Sequence, residues 1–155
     1  MKSSAVLTIV GPKHDKELLT QVDYSASLAK ALRISLIIAY VFDDQLEHYG
    51  YVDPLATDKD KEAFVEHIKS NNRALASRVL EDIKEELHNL YQLDYSVFEV
   101  PLSRREDVIK ALLDLYEIDL TIISKKRLKT MFFSKKMIVP LWICNLNSRL
   151  LLFEP

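Results

Sequence analysis

The sequence predicts an α/β protein, a three-layer doubly wound sandwich around a mostly parallel five-stranded sheet. Along its 155 residues, short apolar runs alternate with longer segments whose apolar residues recur every three or four positions. The first pattern is typical of buried strands and the second of amphipathic helices. The runs are apolar almost throughout, as expected for parallel strands covered by helices on both faces. The length corresponds to one domain.

The first half of the chain supplies two strands and the helix between them. Residues 5–10 form a β-branched apolar run that ends at a Gly-Pro break. Residues 15–32 place their apolar side chains on one helix face, and residues 34–42 form the second strand. Residues 43–57 contain a glycine, a proline and several acids, which predicts a long irregular connection.

The next helix is the longest predicted element. Thr57 or Asp58 caps its start, and an apolar stripe at helical spacing continues to residue 90. Asn72 is the one polar residue in that stripe. Residues 95–100 then form the third strand, which ends at a proline.

The last third of the chain contains one more helix and several short apolar runs. Ser103 and Glu106 have the spacing of a capping box, which predicts that the third helix begins here. Residues 120–123 are predicted as the fourth strand and residues 138–144 as the fifth. Residues 150–153 add a short sixth strand.

Composition excludes several classes of protein. The 21 basic and 23 acidic residues give a net charge of −2, so no global field attracts nucleic acid, and we expect no DNA partner. The single cysteine, Cys144, excludes an intrachain disulfide and a multi-cysteine zinc site. The two glycines, Gly11 and Gly50, are too few and too far apart for a Walker A loop or a GxGxxG fingerprint.

The hydropathy pattern shows no targeting signal, and the cytoplasm is the default expectation. The apolar run near the first residue is shorter than the core of a signal peptide. The apolar stretch at residues 34–42 is far shorter than the roughly 20 residues of a membrane span. We therefore expect a cytoplasmic protein without a transmembrane segment.

Three stretches of the chain resemble the universal stress protein family. They are Ser-Leu-Ala-Lys-Ala-Leu at residues 27–32, the capped helix and Asp-Leu-Thr-Ile-Ile strand within residues 103–123, and Val-Pro-Leu-Trp-Ile-Cys at residues 139–144. The resemblance extends from residue 6 to residue 144. It implies a fold like that of the adenine nucleotide alpha hydrolases, a regulatory or binding role, and a homodimer.

The departures from the family concern its nucleotide site. ATP-binding members carry the pattern G-x2-G-x9-G-S/T after the fourth strand, whereas residues 124–136 of this chain contain no glycine. A non-glycine residue adopts positive φ only at a cost, and its Cβ obstructs close approach of the backbone to a phosphate. Gly11 also stands where the family has an aspartate, and the connection after the fourth strand is shorter than usual. We therefore expect no cofactor and no ATP in the usual mode, although ATP stays possible.

Any ligand is expected at the carboxyl ends of the strands, where such folds bind ligands. The loops there bring acidic, basic and histidine side chains to one edge, including the adjacent Asp43 and Asp44. No nucleophile or catalytic motif accompanies them, so we expect no enzymatic activity. The candidate ligand-binding residues are Gly11, Pro12, Lys13, His14, Asp15, Asp43, Ser124, Lys125, Lys126, Arg127 and Lys129.

Half of the residues from 125 to 136 are basic, and three interpretations of this segment are open. It is a solvated loop, as most charge runs are. Alternatively, its lysines rebuild a phosphate site, which would make the chain a nucleotide-binding or ATP-hydrolysing protein. In the third interpretation the segment docks on RNA, anionic lipid or a protein partner.

The predicted fifth strand is an apolar strand at the edge of the sheet. Such a strand must be covered by another part of the chain or pair with a second chain. The family resemblance likewise implies dimerisation through the last strand. We expect a domain at residues 1–145 and an extension at residues 146–155 that adds a short strand at the sheet edge or at the dimer interface. The candidate interface residues are Ile138, Val139, Leu141, Trp142 and Ile143.

Overall fold

The computed structural model describes residues 2–13, 15–44, 57–91, 93–126, 146 and 148–154. Its five strands form one sheet in the order β3-β2-β1-β4-β5, and all four neighbouring pairs are parallel. This confirms the predicted α/β class. The elements are β1 (Ser3–Val10), α1 (Lys16–Leu32), β2 (Ser35–Phe42), α2 (Asp58–Leu90), β3 (Tyr95–Pro101), α3 (Arg105–Leu115), β4 (Tyr116–Ser124) and β5 (Arg149–Phe153), with a 3-10 turn at Leu102–Arg104 before α3.

The sheet is covered on both faces, which explains why its strands are apolar almost throughout. Side chains of β1 alternate between the two faces, and Val6 and Val10 pack under α1 and α2 while Leu7 and Ile9 pack under α3. All four side chains are 0–1% exposed. The central strand of the sheet is therefore fully enclosed between the helical layers.

Strand β4 begins earlier than predicted and contains a bulge. It starts at Tyr116, directly after α3, rather than at residue 120. Ala5 pairs with Ile118 but Val6 pairs with Leu120, so Asp119 is an extra residue in the ladder. Because side chains alternate strictly along a regular strand, the extra residue moves Ile118 onto the α3 face. The charged Asp119 is exposed.

The predicted capping box before α3 is wrong. The cap position is Arg104, which makes no side-chain capping bond, and Ser103 lies in the preceding turn. The Ser103 amide donates to Asp44 Oδ1 at 3.0 Å, and its hydroxyl donates to Oδ2 of the same carboxylate. The hydroxyl therefore joins the carboxyl ends of β2 and β3, and we call this pair the Asp44–Ser103 clasp.

The two other long helices begin as the sequence predicts. Asp15 caps α1 by accepting from the Leu18 amide at 2.9 Å. Thr57 caps α2 in a capping box with Asp60. Helix α2 has 33 residues, but its fully buried side chains, Val79, Ile83 and Leu87, all lie in the second half.

The strand beside β4 comes from the end of the chain. Residues 149–153 pair with β4 from Leu120↔Arg149 to Ser124↔Phe153. This is the run predicted as a sixth strand, while the predicted fifth strand at residues 138–144 lies outside the described residues. Both runs are short and apolar, so periodicity did not identify which one pairs with β4. Residues 125–148 lie between β4 and β5, and the boundary predicted at residue 145 stays a prediction.

Helices α1 and α2 bring two carboxyl groups together. Asp23 of α1 hydrogen-bonds with Glu86 of α2, and Asp23 Oδ1 is buried with no hydrogen-bond partner among the described residues. Partial burial, followed by the charge and the hydrogen bond of Glu86, raises the pKa of Asp23 to about 6.

No described helix is long and apolar enough to cross a membrane.

Replacing Asp23 with Asn should stabilise the protein near neutral pH. A carboxyl group whose pKa rises on folding supports the fold below its unfolded pKa of 3.8, and that support is lost as the pH rises through about 6. We expect Asp23→Asn to increase the free energy of unfolding by about 1–2 kcal/mol at about pH 7.5, with the difference shrinking toward about pH 4. Urea unfolding at both pH values measures this, and the exposed Glu85→Gln is the control. If the free energies of unfolding of wild type and Asp23→Asn differ by the same amount at both pH values, the prediction is contradicted.

Breaking the Asp44–Ser103 clasp should lower stability near neutral pH. Burial raises the pKa of Asp44, but the hydrogen bonds from Ser103 outweigh burial, and the pKa lies below its ordinary value of 3.8. The stabilisation is therefore present above about pH 4 and lost as the pH falls through the lowered pKa.

Asp44→Asn should lower the free energy of unfolding by about 1 kcal/mol at about pH 7, and Ser103→Ala by less, because the backbone amide still donates. Thermal unfolding measures both variants, with the exposed Asp114→Asn as the matched control. If Asp44→Asn and Asp114→Asn melt alike, the clasp does not stabilise the fold.

Candidate functional site

A cavity of about 510 Å³ opens at the carboxyl ends of β2 and β3, beside α2, and we call it the α2 cavity. Its volume falls within the range of about 300–1,000 Å³ typical of small-molecule pockets. It lies at the edge of the sheet where doubly wound folds bind ligands. The lining residues are Pro12, Tyr40, Phe42, Asp43, Asp44, Lys69, Asn72, Arg73, Ala76 and Glu99.

Two aromatic residues of β2 form the apolar part of the lining. Tyr40 and Phe42 are two positions apart and therefore face the same side of the sheet. Their ring centroids are 5.9 Å apart at a tilt of 34°. Tyr40 is 2% exposed, whereas Phe42 is half-buried and offers ring surface to the cavity. Pro12, after β1, and Ala76 of α2 complete this apolar surface.

Helix α2 contributes the basic residues. Lys69, Asn72, Arg73 and Ala76 recur at spacings of three and four, so they share one helix face. The Lys69 ammonium lies 3.6 Å from Glu66 Oε1 in an ion pair with exposed side chains. Arg73 is exposed and has no ion pair or hydrogen bond among the described residues.

The strands contribute the acidic residues. Glu99 of β3 is in register with Tyr40, so its carboxylate lies on the α2 side of the sheet. It is exposed, and no described side chain pairs with it. Asp43 and Asp44 follow β2, and Asp44 accepts from Ser103 through both carboxylate oxygens. The α2 cavity therefore holds charges of both signs around an aromatic surface.

The strand order reverses between β1 and β4, a position at which doubly wound folds bind ligands, and we call the carboxyl-end side of this junction the β1/β4 crevice. The fully buried Gln21 of α1 contacts both strands: its Nε2 atom donates to Thr8 Oγ1 at 2.8 Å and to the Ile9 carbonyl at 2.9 Å in β1, and it lies 3.5 Å from the Ile122 carbonyl of β4. Nearer the mouth, the buried Ser124 hydroxyl donates to Glu17 Oε1 at 2.5 Å. An acidic side chain thus crosses the β1/β4 crevice.

The first turn of α1 presents acidic side chains to the β1/β4 crevice. The Asp15 carboxylate accepts from the Leu18 amide and lies 3.7 Å from the Lys13 ammonium. Glu17 adds a second acid in the same turn. A helix N-terminus attracts anions through free amides and its dipole, and here Asp15 already accepts from one of these amides while Asp15 and Glu17 place negative charge at the positive end of the dipole.

The structure divides the predicted ligand residues between the α2 cavity and the β1/β4 crevice. Pro12 and Asp43 line the α2 cavity, whereas Gly11, Lys13, Asp15 and Ser124 lie at the end of β1, the start of α1 and the end of β4.

The basic segment is described only at its start. Lys125 forms an ion pair with Glu154 at 3.5 Å, beyond the end of β5, and Lys126 follows it in a helical turn. His14, Arg127 and Lys129 lie outside the described residues. The same holds for the predicted interface residues Ile138, Val139, Leu141, Trp142 and Ile143.

Sequence reasoning missed most of the α2 cavity. Lys69, Arg73 and Glu99 were not candidates, although a signal for them exists in the sequence. Asn72 interrupts an apolar stripe between two basic residues, and Glu99 is a charge inside an apolar strand. Within the described ranges, no group of three or more His, Cys, Asp or Glu side chains is arranged to hold a metal ion.

No family model matches the chain, and no curated protein matches it. Its similarity to known proteins lies in the three-dimensional structure. A universal stress protein in complex with cAMP superposes with a TM-score of 0.55 and 18% identity, over 96% of this chain and 97% of the other. A universal stress protein family member from Burkholderia pseudomallei gives a TM-score of 0.56 and 12% identity, over 95% of this chain and 94% of the other.

Both similarities extend over nearly the whole length of each chain. They agree with the five-stranded parallel sheet and its helical layers. The chain therefore has the universal stress protein fold.

Proposed function

We propose that this chain is a regulatory ligand-binding protein of the universal stress protein kind that does not bind ATP in the glycine-loop mode. The fold supports the first part of the proposal. The hydrogen bond between Ser124 and Glu17 supports the second, because it places a carboxylate in the β1/β4 crevice where phosphates would approach. The α2 cavity, at the same edge of the described sheet, has the volume of a small-molecule pocket.

Calorimetry with magnesium and ATP tests this proposal. We expect no binding up to millimolar ATP, since no glycine follows β4 and the first turn of α1 is already acidic. One structural neighbour is described in complex with cAMP, so cAMP is titrated in parallel. Micromolar ATP binding would contradict the proposal.

The alternatives from the basic segment give distinct outcomes in the same experiment. ATP binding that is lost in Lys125→Ala/Lys126→Ala would indicate a lysine-rich phosphate site, and release of phosphate would indicate an ATP-hydrolysing enzyme. Steeply salt-dependent binding of RNA or anionic vesicles, without nucleotide affinity, would indicate a docking module at residues 125–136.

We also infer a homodimer that forms through β5. This strand is the last in the described sheet, and it carries two apolar side chains on one face. Leu150 and Leu152 are 37% and 38% exposed, while Leu151 and Phe153 pack toward α1. An apolar edge strand with free backbone groups favours pairing with a second chain.

Charging this edge should dissociate the dimer. We expect wild type to have twice the chain mass by light scattering, and Leu150→Lys/Leu152→Lys to have the mass of one chain, because lysines on an edge strand oppose pairing. Val97→Lys is the matched control, since Val97 is 40% exposed on the opposite edge strand. A monomeric wild type, or dissociation by Val97→Lys instead, would contradict dimerisation through β5.

A further inference from the structure

We propose that the α2 cavity binds a zwitterionic α-amino acid with a large apolar side chain. The carboxylate of the ligand pairs with Arg73, its ammonium pairs with Glu99, and its side chain lies against Phe42. The inference rests on the proposed ligand-binding function and names the chemical class of the ligand.

The opposite charges of Arg73 and Glu99 carry the inference. Both side chains line the same cavity and both are exposed. Neither pairs with the other or with a third group in the part of the chain that the structure describes. A guanidinium group binds a carboxylate through two parallel hydrogen bonds, and a carboxylate accepts readily from an ammonium group.

The other charged groups of the lining are already engaged. Both carboxylate oxygens of Asp44 accept from Ser103, and Asp43 has an interaction of its own. Lys69 pairs with Glu66 on the helix surface, an exposed contact that competes only weakly with a ligand. Arg73 and Glu99 are therefore the pair left for a bound molecule.

Both charges of the ligand are needed to match this lining. Three carboxylates, Asp43, Asp44 and Glu99, oppose the entry of a phosphate dianion. Lys69 and Arg73 oppose a simple organic cation, although less strongly, because two positive groups face three carboxylates. A neutral apolar molecule would desolvate these charged groups without replacing their lost contacts with water. A molecule with one negative and one positive group can pair with Arg73 and with Glu99 at the same time.

The apolar surface sets the size of the ligand's side chain. Phe42, Tyr40, Pro12 and Ala76 are the apolar residues that line a cavity of about 510 Å³. This space exceeds what a small amino acid fills, and it suits an aromatic or branched aliphatic side chain. Tyr40 is almost fully buried, so Phe42 is the ring that the ligand contacts.

Calorimetry with matched probes tests the need for both charges. L-phenylalanine has both charged groups, 3-phenylpropionate lacks the ammonium, and phenethylamine lacks the carboxylate. We expect L-phenylalanine to bind at millimolar concentration or below, and each analogue to bind about tenfold more weakly, which corresponds to about 1.4 kcal/mol. Glycine, which has the charges without the side chain, should bind more weakly than L-phenylalanine.

Substitutions assign each charge to its residue. Arg73→Gln and Glu99→Gln should each weaken the binding of L-phenylalanine about tenfold. Arg73→Gln should leave the affinity for phenethylamine at least at the wild-type value, and Glu99→Gln should do the same for 3-phenylpropionate. General damage to the cavity would weaken every probe alike. Arg78→Gln and Glu85→Gln, on exposed positions of α2 outside the lining, should change nothing.

Three outcomes would overturn the inference. They are no binding of L-phenylalanine or L-leucine up to millimolar concentration, equal affinity for L-phenylalanine and either analogue, and unchanged affinity in both cavity variants. Each of these leaves the proposed function untouched if ATP also fails to bind. Micromolar ATP binding would overturn the proposed function whatever the amino acids do.

Discussion

The buried amide of Gln21 fixes helix α1 to the junction between the two halves of this sheet. The chain builds β1, β2 and β3 outward in one direction and then returns to place β4 on the other side of β1. At that junction Gln21 Nε2 donates to Thr8 and to the Ile9 carbonyl, and it lies 3.5 Å from the Ile122 carbonyl of β4. Its Oε1 atom has no hydrogen-bond partner among the described residues. A buried polar group is stabilising only when its partners are present, so the amide favours one alignment of α1 over both strands.

The same junction explains why the α2 cavity and the β1/β4 crevice differ chemically. Above Gln21, the Ser124–Glu17 hydrogen bond and the Asp15 cap fill the β1/β4 crevice with side chains of the protein itself. On the β2/β3 side, the clasp uses Asp44 and holds the strand ends together, while Arg73 and Glu99 stay available. Both sets of side chains belong to the same edge of the sheet, and they come from the ends of its strands and from helices α1 and α2.

The sequence predicted the layers of the fold but not most of the lining of the α2 cavity, for physical reasons. Apolar periodicity reports which residues are buried, so it identified β1, β2 and the three helices. It did not distinguish two short apolar runs near the end of the chain, because pairing with β4 depends on tertiary contacts. Local capping rules placed Ser103 at a helix start. Its hydroxyl instead donates a hydrogen bond to Asp44, a carboxylate distant in sequence. The α2 cavity was missed because Lys69, Arg73 and Glu99 come from separate elements that only folding brings together.

The uneven burial of α2 has a mechanical consequence. The helix is held at Val79, Ile83 and Leu87, and the cavity residues Lys69 to Ala76 lie just beyond these anchors. At 1.5 Å per residue, its first residue lies about 30 Å from Val79. A tilt of about 5° at the anchored end displaces that first residue by about 3 Å. The first half of the helix extends past its fully buried residues, so a small change of angle beside the cavity becomes a larger displacement at the first residue of the helix.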